Sequence, residues 1–386
     1  MKLKPIAYAI IAAGLVGPTF AAYSGHPVAH HKSTCGMASS MSSIESIIAG
    51  NGYNSGVDSA VCWQDRVRFS GTVDAAYRNV RGDVSGSDTT TRAFDLNQAI
   101  LGVNAKLNSA WSAKGVFRWG FSQTPVDNFA FHTHADLIDG WNVEEASLTY
   151  SDSSRSPLFF KLGRGFVPFG HYADPFEFLP TVAQTFSQLN EDFVQLGVAS
   201  SAGWNASVAG WTSAVSANDW RYVATVGFDH SMRGVGMHFD ASYLSAFEET
   251  VGNANLSHSA VALVGTNTHS AWQAGVSTNL RGFDLGARYL RASGLDASDD
   301  SRNAWGAHVG YGLNAMGHSH KVGFDYESLS DDFSSEVSSR WSADWTVGVA
   351  DNVDARLKYA SYSTRTATTT LAAAPRVWLF SVTGKF

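Results

Sequence analysis

The feature that most limits what this chain can become is a period-two alternation that begins at Arg66 and runs to the last residue. Val67, Phe69, Gly71, Val73, Ala75 and Tyr77 interleave with Arg66, Arg68, Ser70, Thr72, Asp74 and Arg78. Trp111, Ala113, Gly115, Phe117 and Trp119 interleave with Ser112, Lys114, Val116 and Arg118. Trp341, Ala343, Trp345, Val347 and Val349 repeat the pattern near the end. Successive side chains of a strand point to opposite faces, so each stretch carries one apolar and one polar face. A soluble sandwich alternates too. Here the stretches run about 10 to 14 residues, against the usual five or six of a globular strand. Aromatics gather near their ends, as the interfacial girdles of a membrane barrel require. Arginines and lysines among small residues on the polar face suit a wet lumen. An apolar outer face is what lipid demands, because lipid offers no hydrogen bonds.

Composition agrees with this. The chain has 386 residues, 44% hydrophobic and 12% aromatic, yet only 16% charged; an ordinary soluble domain has about 25% charged residues. The mean hydropathy is −0.10, which follows when half of every strand is lipid-facing and half is wet. Lys and Arg number 27 against 34 Asp and Glu, a net charge of −7. No positive excess exists to neutralise phosphates, so nucleic acid is not a predicted partner. Beyond the N-terminus no run reaches the roughly 18 apolar residues of a membrane-spanning helix.

Sixteen strands are predicted, near 66–78, 94–107, 110–122, 141–150, 157–165, 192–200, 203–212, 219–228, 233–246, 271–280, 282–291, 303–313, 318–328, 338–350, 352–363 and 376–386. Short connections near Asn108–Ser109, Ser153–Ser156, Ser201–Ala202, His230–Met232, Arg281, Asn314–Gly317 and Asp351 alternate with long ones, among them 79–93 and 166–191. Counting 259–265 as a further spanning strand would break that alternation, so 247–270 is taken as one external loop. The predicted fold is all-β, a transmembrane antiparallel barrel of about 16 strands.

The N-terminus is organised differently. Lys2 and Lys4 precede an apolar stretch from Ile6 to Phe20 and small residues at Ala21 and Ala22, which reads as a cleaved signal peptide over 1–22. Its removal takes the formal charge from −7 to −9. Residues 23–65 form a predicted periplasmic leader, and 66–386 the barrel. Met37, Met41, Ile44 and Ile48 recur at helical spacing, giving a short periplasmic helix. Cys35 and Cys62, an even pair in an exported chain, are expected to form one disulfide.

Two motifs stand out. The last strand alternates Trp378, Phe380, Val382, Gly384 and Phe386. A terminal strand ending in Phe resembles the recognition signal of bacterial outer-membrane barrels. It implies the barrel-assembly machinery as a partner and the Gram-negative outer membrane as the location. The second motif is Lys161-Leu-Gly-Arg-Gly-Phe-Val-Pro-Phe-Gly-His-Tyr172, which leads into Asp174, Pro175, Phe176 and Glu177 and re-enters as Phe193-Val-Gln-Leu-Gly197. Proline cannot join a central ladder, so this is a long shaped loop. Arg164, Pro168, Phe169, Gly170, His171, Tyr172, Asp174 and Glu177 are its predicted constriction residues, folded inward to narrow a pore, with an outward-facing external loop as the alternative.

With that loop and the terminal strand, the chain resembles phosphate-selective-type and related porins. The Cys-bearing helical leader resembles more specifically the LbtU family of siderophore porins. The resemblance implies an outer-membrane pore that takes up iron-loaded siderophore, with a general or anion-selective diffusion porin as the alternative. The leader is too short for the globular plug of the gated siderophore receptors.

Turning the polar faces inward predicts a basic arc of Arg66, Arg68, Arg78, Lys114, Arg118, Arg356, Lys358 and Arg376, joined by Lys385 and interrupted by Asp74, Asp344 and Asp354. Fixed charges of this kind set selectivity for charged solutes, and a polycarboxylate siderophore would be drawn to them. His132, His134, His171 and the nearby aspartates are read as solvated, so neither a metal nor a cofactor is predicted. No G-x-S-x-G elbow or compact nucleophile constellation is present, and no enzyme is predicted. Homo-oligomers and outer-membrane lipid complete the expected partners.

Overall fold

Strands with one apolar and one polar face leave hydrogen-bonding edges, and in lipid those edges can be satisfied only by closing the sheet on itself. The structure is a computed structural model describing residues 61–63, 67–83, 88–120, 140–152, 155–170, 189–212, 219–232, 235–247, 270–293, 301–329, 337–364 and 376–386. A short strand β1 (Val61–Trp63) precedes β2 (Val67–Asp83), β3 (Asp88–Lys106), β4 (Trp111–Gly120), β5 (Gly140–Ser151), β6 (Leu158–Phe166), β7 (Asn190–Ala199), β8 (Trp204–Thr212) and β9 (Trp220–Met232). The second half comprises β10 (Val235–Leu244), β11 (Ser270–Leu280), β12 (Phe283–Ser293), β13 (Arg302–Ala315), β14 (His318–Leu329), β15 (Val337–Ala350), β16 (Val353–Thr364) and β17 (Arg376–Lys385). Each strand from β2 onward pairs antiparallel with its sequence neighbours. The last returns to the first, from Arg376↔Arg81 to Lys385↔Thr72. The result is a closed barrel of sixteen antiparallel strands, β2 to β17. The described residues include no helix; the predicted leader helix lies outside them, as do 259–265.

Burial along the strands is inverted relative to a soluble domain. On β7, Val194, Leu196 and Val198 are exposed, whereas Phe193, Gln195 and Gly197 are buried. The apolar face therefore points out of the barrel and the mixed face points in. Tight turns gather at one end. Arg281 and Gly282 (φ 51° and 90°) and Met316 and Gly317 (φ 54° and 80°) each place two central residues in the left-handed region. That geometry matches the right-handed twist of the flanking strands.

Three boundaries differ from those predicted. The first hairpin is longer, because residues 79–83 and 88–93 stay paired, up to Asp83↔Asp88. Strand β9 continues through His230 to Met232, which pairs with Val235 of β10. And β1, too short to show a period, pairs Val61↔Phe69 and Trp63↔Val67 on the stretch of β2 beyond the reach of β17.

Phe386 extends the β17–β2 seam of the barrel. Gly71 N–H donates to Phe386 O at 2.8 Å, and Phe386 N–H donates to Gly71 O at 3.0 Å. The Phe386 ring lies over Gly71, where an added Cβ would sit 2.2 Å from the ring carbon Cζ. Gly71→Val is expected to push the ring off the seam and lower the yield of folded barrel. Heat-modifiable migration on a gel reads this directly. A folded fraction equal to that of the parent chain would show that the ring has another place to go.

Candidate functional site

The inner wall holds three arrangements of side chains. The first is apolar. Strand β6 ends at Phe166, and the chain turns inward rather than continuing upward. Phe169 is fully buried, together with Phe193, Trp211, Leu244, Leu290 and Leu329 on the inner faces of β7 to β14. Val167 N–H donates to Leu189 O at 2.8 Å, which ties the two stems of the loop together. Gly170 has φ 82°, and a Cβ there would lie 1.4 Å from Gln273 Nε2. Gln273 stands on β11, separated from β6 around the wall by β7 to β10, and donates to Ser242 Oγ at 3.0 Å. Such a contact is possible only if the stem crosses the interior. Burying a Phe side chain contributes roughly 1.5–3 kcal/mol, so the stem is held against this half of the wall by its own apolar residues. Pro168 is buried in the same stem. His171, Tyr172, Asp174 and Glu177 lie outside the described residues.

The second arrangement is a charge cluster at the foot of that stem. The pairing of β4 with β5 slips between Val116 and Phe117, opposite Glu145 and Val143. Glu144 is the extra residue of a β-bulge, which turns two consecutive acids inward; both are buried. Glu145 receives Lys114 Nζ at 2.7 Å, Lys161 Nζ at 3.0 Å and the Ser147 hydroxyl at 3.0 Å. Arg118 Nη2 lies 2.8 Å from Glu144 Oε1, an ion pair. The space comes from the glycines of the Leu-Gly-Arg-Gly run. A Cβ on Gly163 (φ 135°) would be 2.1 Å from Ala146 O, and one on Gly165 would be 3.2 Å from Glu145 Cγ.

A third cluster occupies β14 to β16. Arg340 lies 3.1 Å from both Asp325 and Glu327, the Ser342 hydroxyl donates to Asp325, and Lys358 Nζ is 3.8 Å from Asp325. Arg340 and Lys358 are fully buried at the side chain. Buried pairs of this quality are worth little against apolar replacements but are strongly destabilised when one partner is lost.

The predicted basic arc therefore divides. Lys114, Arg118 and Lys358 are inward and matched by carboxylates. Arg68, Arg78 and Arg356 share the inner register of β2 and β16, where Arg356 Nε donates to Thr346 at 3.0 Å. Lys385 is on the same sector, 2.6 Å from Asp354, and the Thr383 hydroxyl donates to Asp74 at 2.7 Å. Arg376 belongs elsewhere. It shares the outward parity of Trp378 and Phe380, which the period of two dictates. Arg164 likewise belongs to β6 and faces outward, 3.7 Å from Asp192. Arg66, Cys35 and the Cys62 side chain lie outside the described residues. Among those residues no group of His, Cys, Asp and Glu is placed to hold a metal ion. Sequence reasoning missed Glu144, Glu145 and Gln273. The doublet Glu144-Glu145 interrupts an alternating strand, and that interruption was the available sign of a bulge.

Solved structures share this architecture at low identity. OprB of Pseudomonas putida aligns over 83% of this chain and 94% of its own, with a TM-score of 0.59 and 9% identity. OmpF of Salmonella typhi, solved with daunomycin, aligns over 85% and 100%, with a TM-score of 0.57 and 11% identity. An anion-selective porin from Comamonas acidovorans aligns over 83% and 99%, with a TM-score of 0.54 and 10% identity. No protein-family model matches the chain. No curated protein matches it in sequence.

Proposed function

We propose that this chain is an outer-membrane pore of a Gram-negative bacterium, a transporter rather than an enzyme, and that its solute is a polyanionic iron-siderophore. The observation that carries the pore reading is the asymmetry of the inner wall. Phe169 of the loop stem is buried in one apolar cluster with residues of β7 to β14, Gly170 lies against Gln273 of β11, and the inner faces of β16, β17 and β2 carry Arg68, Arg78, Arg356 and Lys385 against Asp74 and Asp354. Between these cations stand Ser70, Thr72, Ser381 and Thr383. Such a sector attracts anions and offers hydroxyls to their oxygens. The sixteen-stranded size leaves room for an aqueous path.

A second reading, diffusion of small anions in general, draws on the same four cations. The two separate in cells. A deletion strain should lose uptake of a ferric polycarboxylate siderophore while its uptake of phosphate stays unchanged, and Arg68→Ala with Arg356→Ala should reduce siderophore uptake severalfold. Loss of both uptakes together would favour the general pore. Unimpaired siderophore uptake in the deletion strain would remove the siderophore assignment.

A further inference from the structure

At the end of the barrel opposite the tight turns, the outer wall changes from aromatic to cationic within three rungs of β17, β2 and β3. The first rung is Phe380↔Tyr77↔Phe94, all exposed. The next is Trp378↔Asn79↔Arg92, with the Tyr359 ring centroid 4.7 Å from that of Trp378. The last is Arg376↔Arg81↔Thr90, and Ser361 of β16 stands across from Arg376. Arg81, Arg92 and Arg376 are exposed and share the outward parity of the rings. Aromatic side chains of this kind belong where a barrel wall meets lipid headgroups, so the arginines stand at headgroup level or just beyond it. In an outer-membrane barrel the end away from the tight turns is the outer one.

Arg81 and Arg376 are directly opposed. Side chains so placed have Cβ atoms about 4.5–5.5 Å apart, and like charges there are destabilising. Arg92 is diagonal to Arg81, a separation of about 7–8 Å. Among the described residues none of the three forms an ion pair with a carboxylate. Asp83 and Asp88 are register partners one rung further from the rings. Elsewhere on the outer wall the cations are placed differently. Arg164 lies 3.7 Å from Asp192, and Arg291 has Trp272 and Asn303 as register partners.

We propose that the β17–β2–β3 rim is a binding site for a lipid of the outer leaflet whose headgroup bears a phosphate monoester. The inference rests on reading the barrel as an outer-membrane pore. Charge decides the class of headgroup. A phosphate monoester carries about −1.5 to −2 at pH 7, so it can face both opposed guanidiniums at once. The diester of an ordinary phospholipid carries a single negative charge and leaves one of them uncompensated. Guanidinium forks bind phosphate oxygens bidentately, and Asn79, Thr90 and Ser361 add neutral donors beside them. The acyl chains then lie along the exposed Phe380, Tyr77, Phe94 and Val382, toward the middle of the membrane.

The test mixes the full chain, purified in neutral detergent, with lipid A, whose sugars carry phosphate monoesters. Parallel samples receive the same lipid after dephosphorylation, or phosphatidylglycerol, a diester. Non-denaturing mass spectrometry counts bound lipid, and thermal unfolding reads its effect on the barrel. Fractionation of the cells that make the chain checks its membrane location, which tests the underlying reading on its own. Lipid A is expected to bind severalfold more than either of the others and to raise the unfolding temperature. Arg81→Gln with Arg376→Gln should remove that preference, Arg92→Gln should remove part of it, and Arg291→Gln should leave it. Without lipid the double variant should unfold no earlier than the parent, because it sheds a like-charge pair. The proposal is overturned if the three lipids bind alike, if the preference survives in the double variant, or if Arg291→Gln abolishes it. It is also overturned if inorganic phosphate alone stabilises the barrel as much as lipid A, or if lipid A is found only on species of two or more chains.

Discussion

Replacing Glu145 with Ala is expected to destabilise the barrel by about 3–5 kcal/mol, the range for removing one partner of a buried ion pair. Lys161 is the reason. Its side chain is 3% exposed, and its ammonium is 3.0 Å from Glu145 and 5.4 Å from the centroid of the Phe193 ring. Without the carboxylate, among the described residues it keeps the ring and faces Lys114, a like charge. Urea unfolding in detergent micelles measures the loss. Adding Lys161→Met removes the stranded charge, and the double variant should recover most of the stability. A single variant within about 1 kcal/mol of the parent would place the pair among exposed bridges of small worth and contradict its burial.

The second large effect is on the loop stem. Gly170→Val asks an L-residue to hold φ 82° and to occupy the position of Gln273 Nε2. The backbone part alone costs about 1–2 kcal/mol. Gln273 is fully buried and hydrogen-bonded to Ser242, so it has little room to withdraw. The stem should lift, Phe169 should leave the apolar cluster, and single-channel conductance should rise. Trimming the wall as well, with Gln273→Ala, relieves the overlap but not the backbone conformation and should restore conductance in part. Unchanged conductance and thermal stability in Gly170→Val would show that the stem does not depend on this contact.

Much of the barrel was legible in the sequence because its two faces see different solvents. On β15, Trp341, Ala343 and Trp345 against Ser342 and Asp344 is a pattern that lipid outside and polar surroundings inside impose residue by residue. Where the solvent contrast ends, the sequence signal ends too. The outer parts of β2 and β3, up to Asp83↔Asp88, stay paired without an apolar face to mark them. Strand β1 is held by β2 and has only three residues to show for it. Inside, parity put Lys114, Arg118 and Lys358 on the inner face, but Arg376 was misplaced and inward charges were not separated from one another. Whether Lys114 or Arg118 meets a carboxylate depends on which register brings Glu144 and Glu145 round, and the bulge that does so is a pairing property. Arg164 was assigned to the loop by its place in the motif, although the alternation of Leu158, Leu162 and Arg164 already placed it outside.

The inward stem was half legible. Prolines showed that the segment after β6 could not be a central strand. Its anchoring was not, because Gln273 lies a hundred residues away and carries no motif of its own. What that anchoring leaves is the point on which the functional account stands: a barrel whose loop stem reaches Gln273 on β11 and whose β16–β17–β2 sector is basic. Purified protein in a planar bilayer, held in a salt gradient, tests it in one recording. The account predicts stepwise conductance with a reversal potential displaced toward that of the anion, and displacement of that potential toward zero in Arg68→Ala with Arg356→Ala. Absence of steps, or steps with a cation-selective reversal potential, would contradict it.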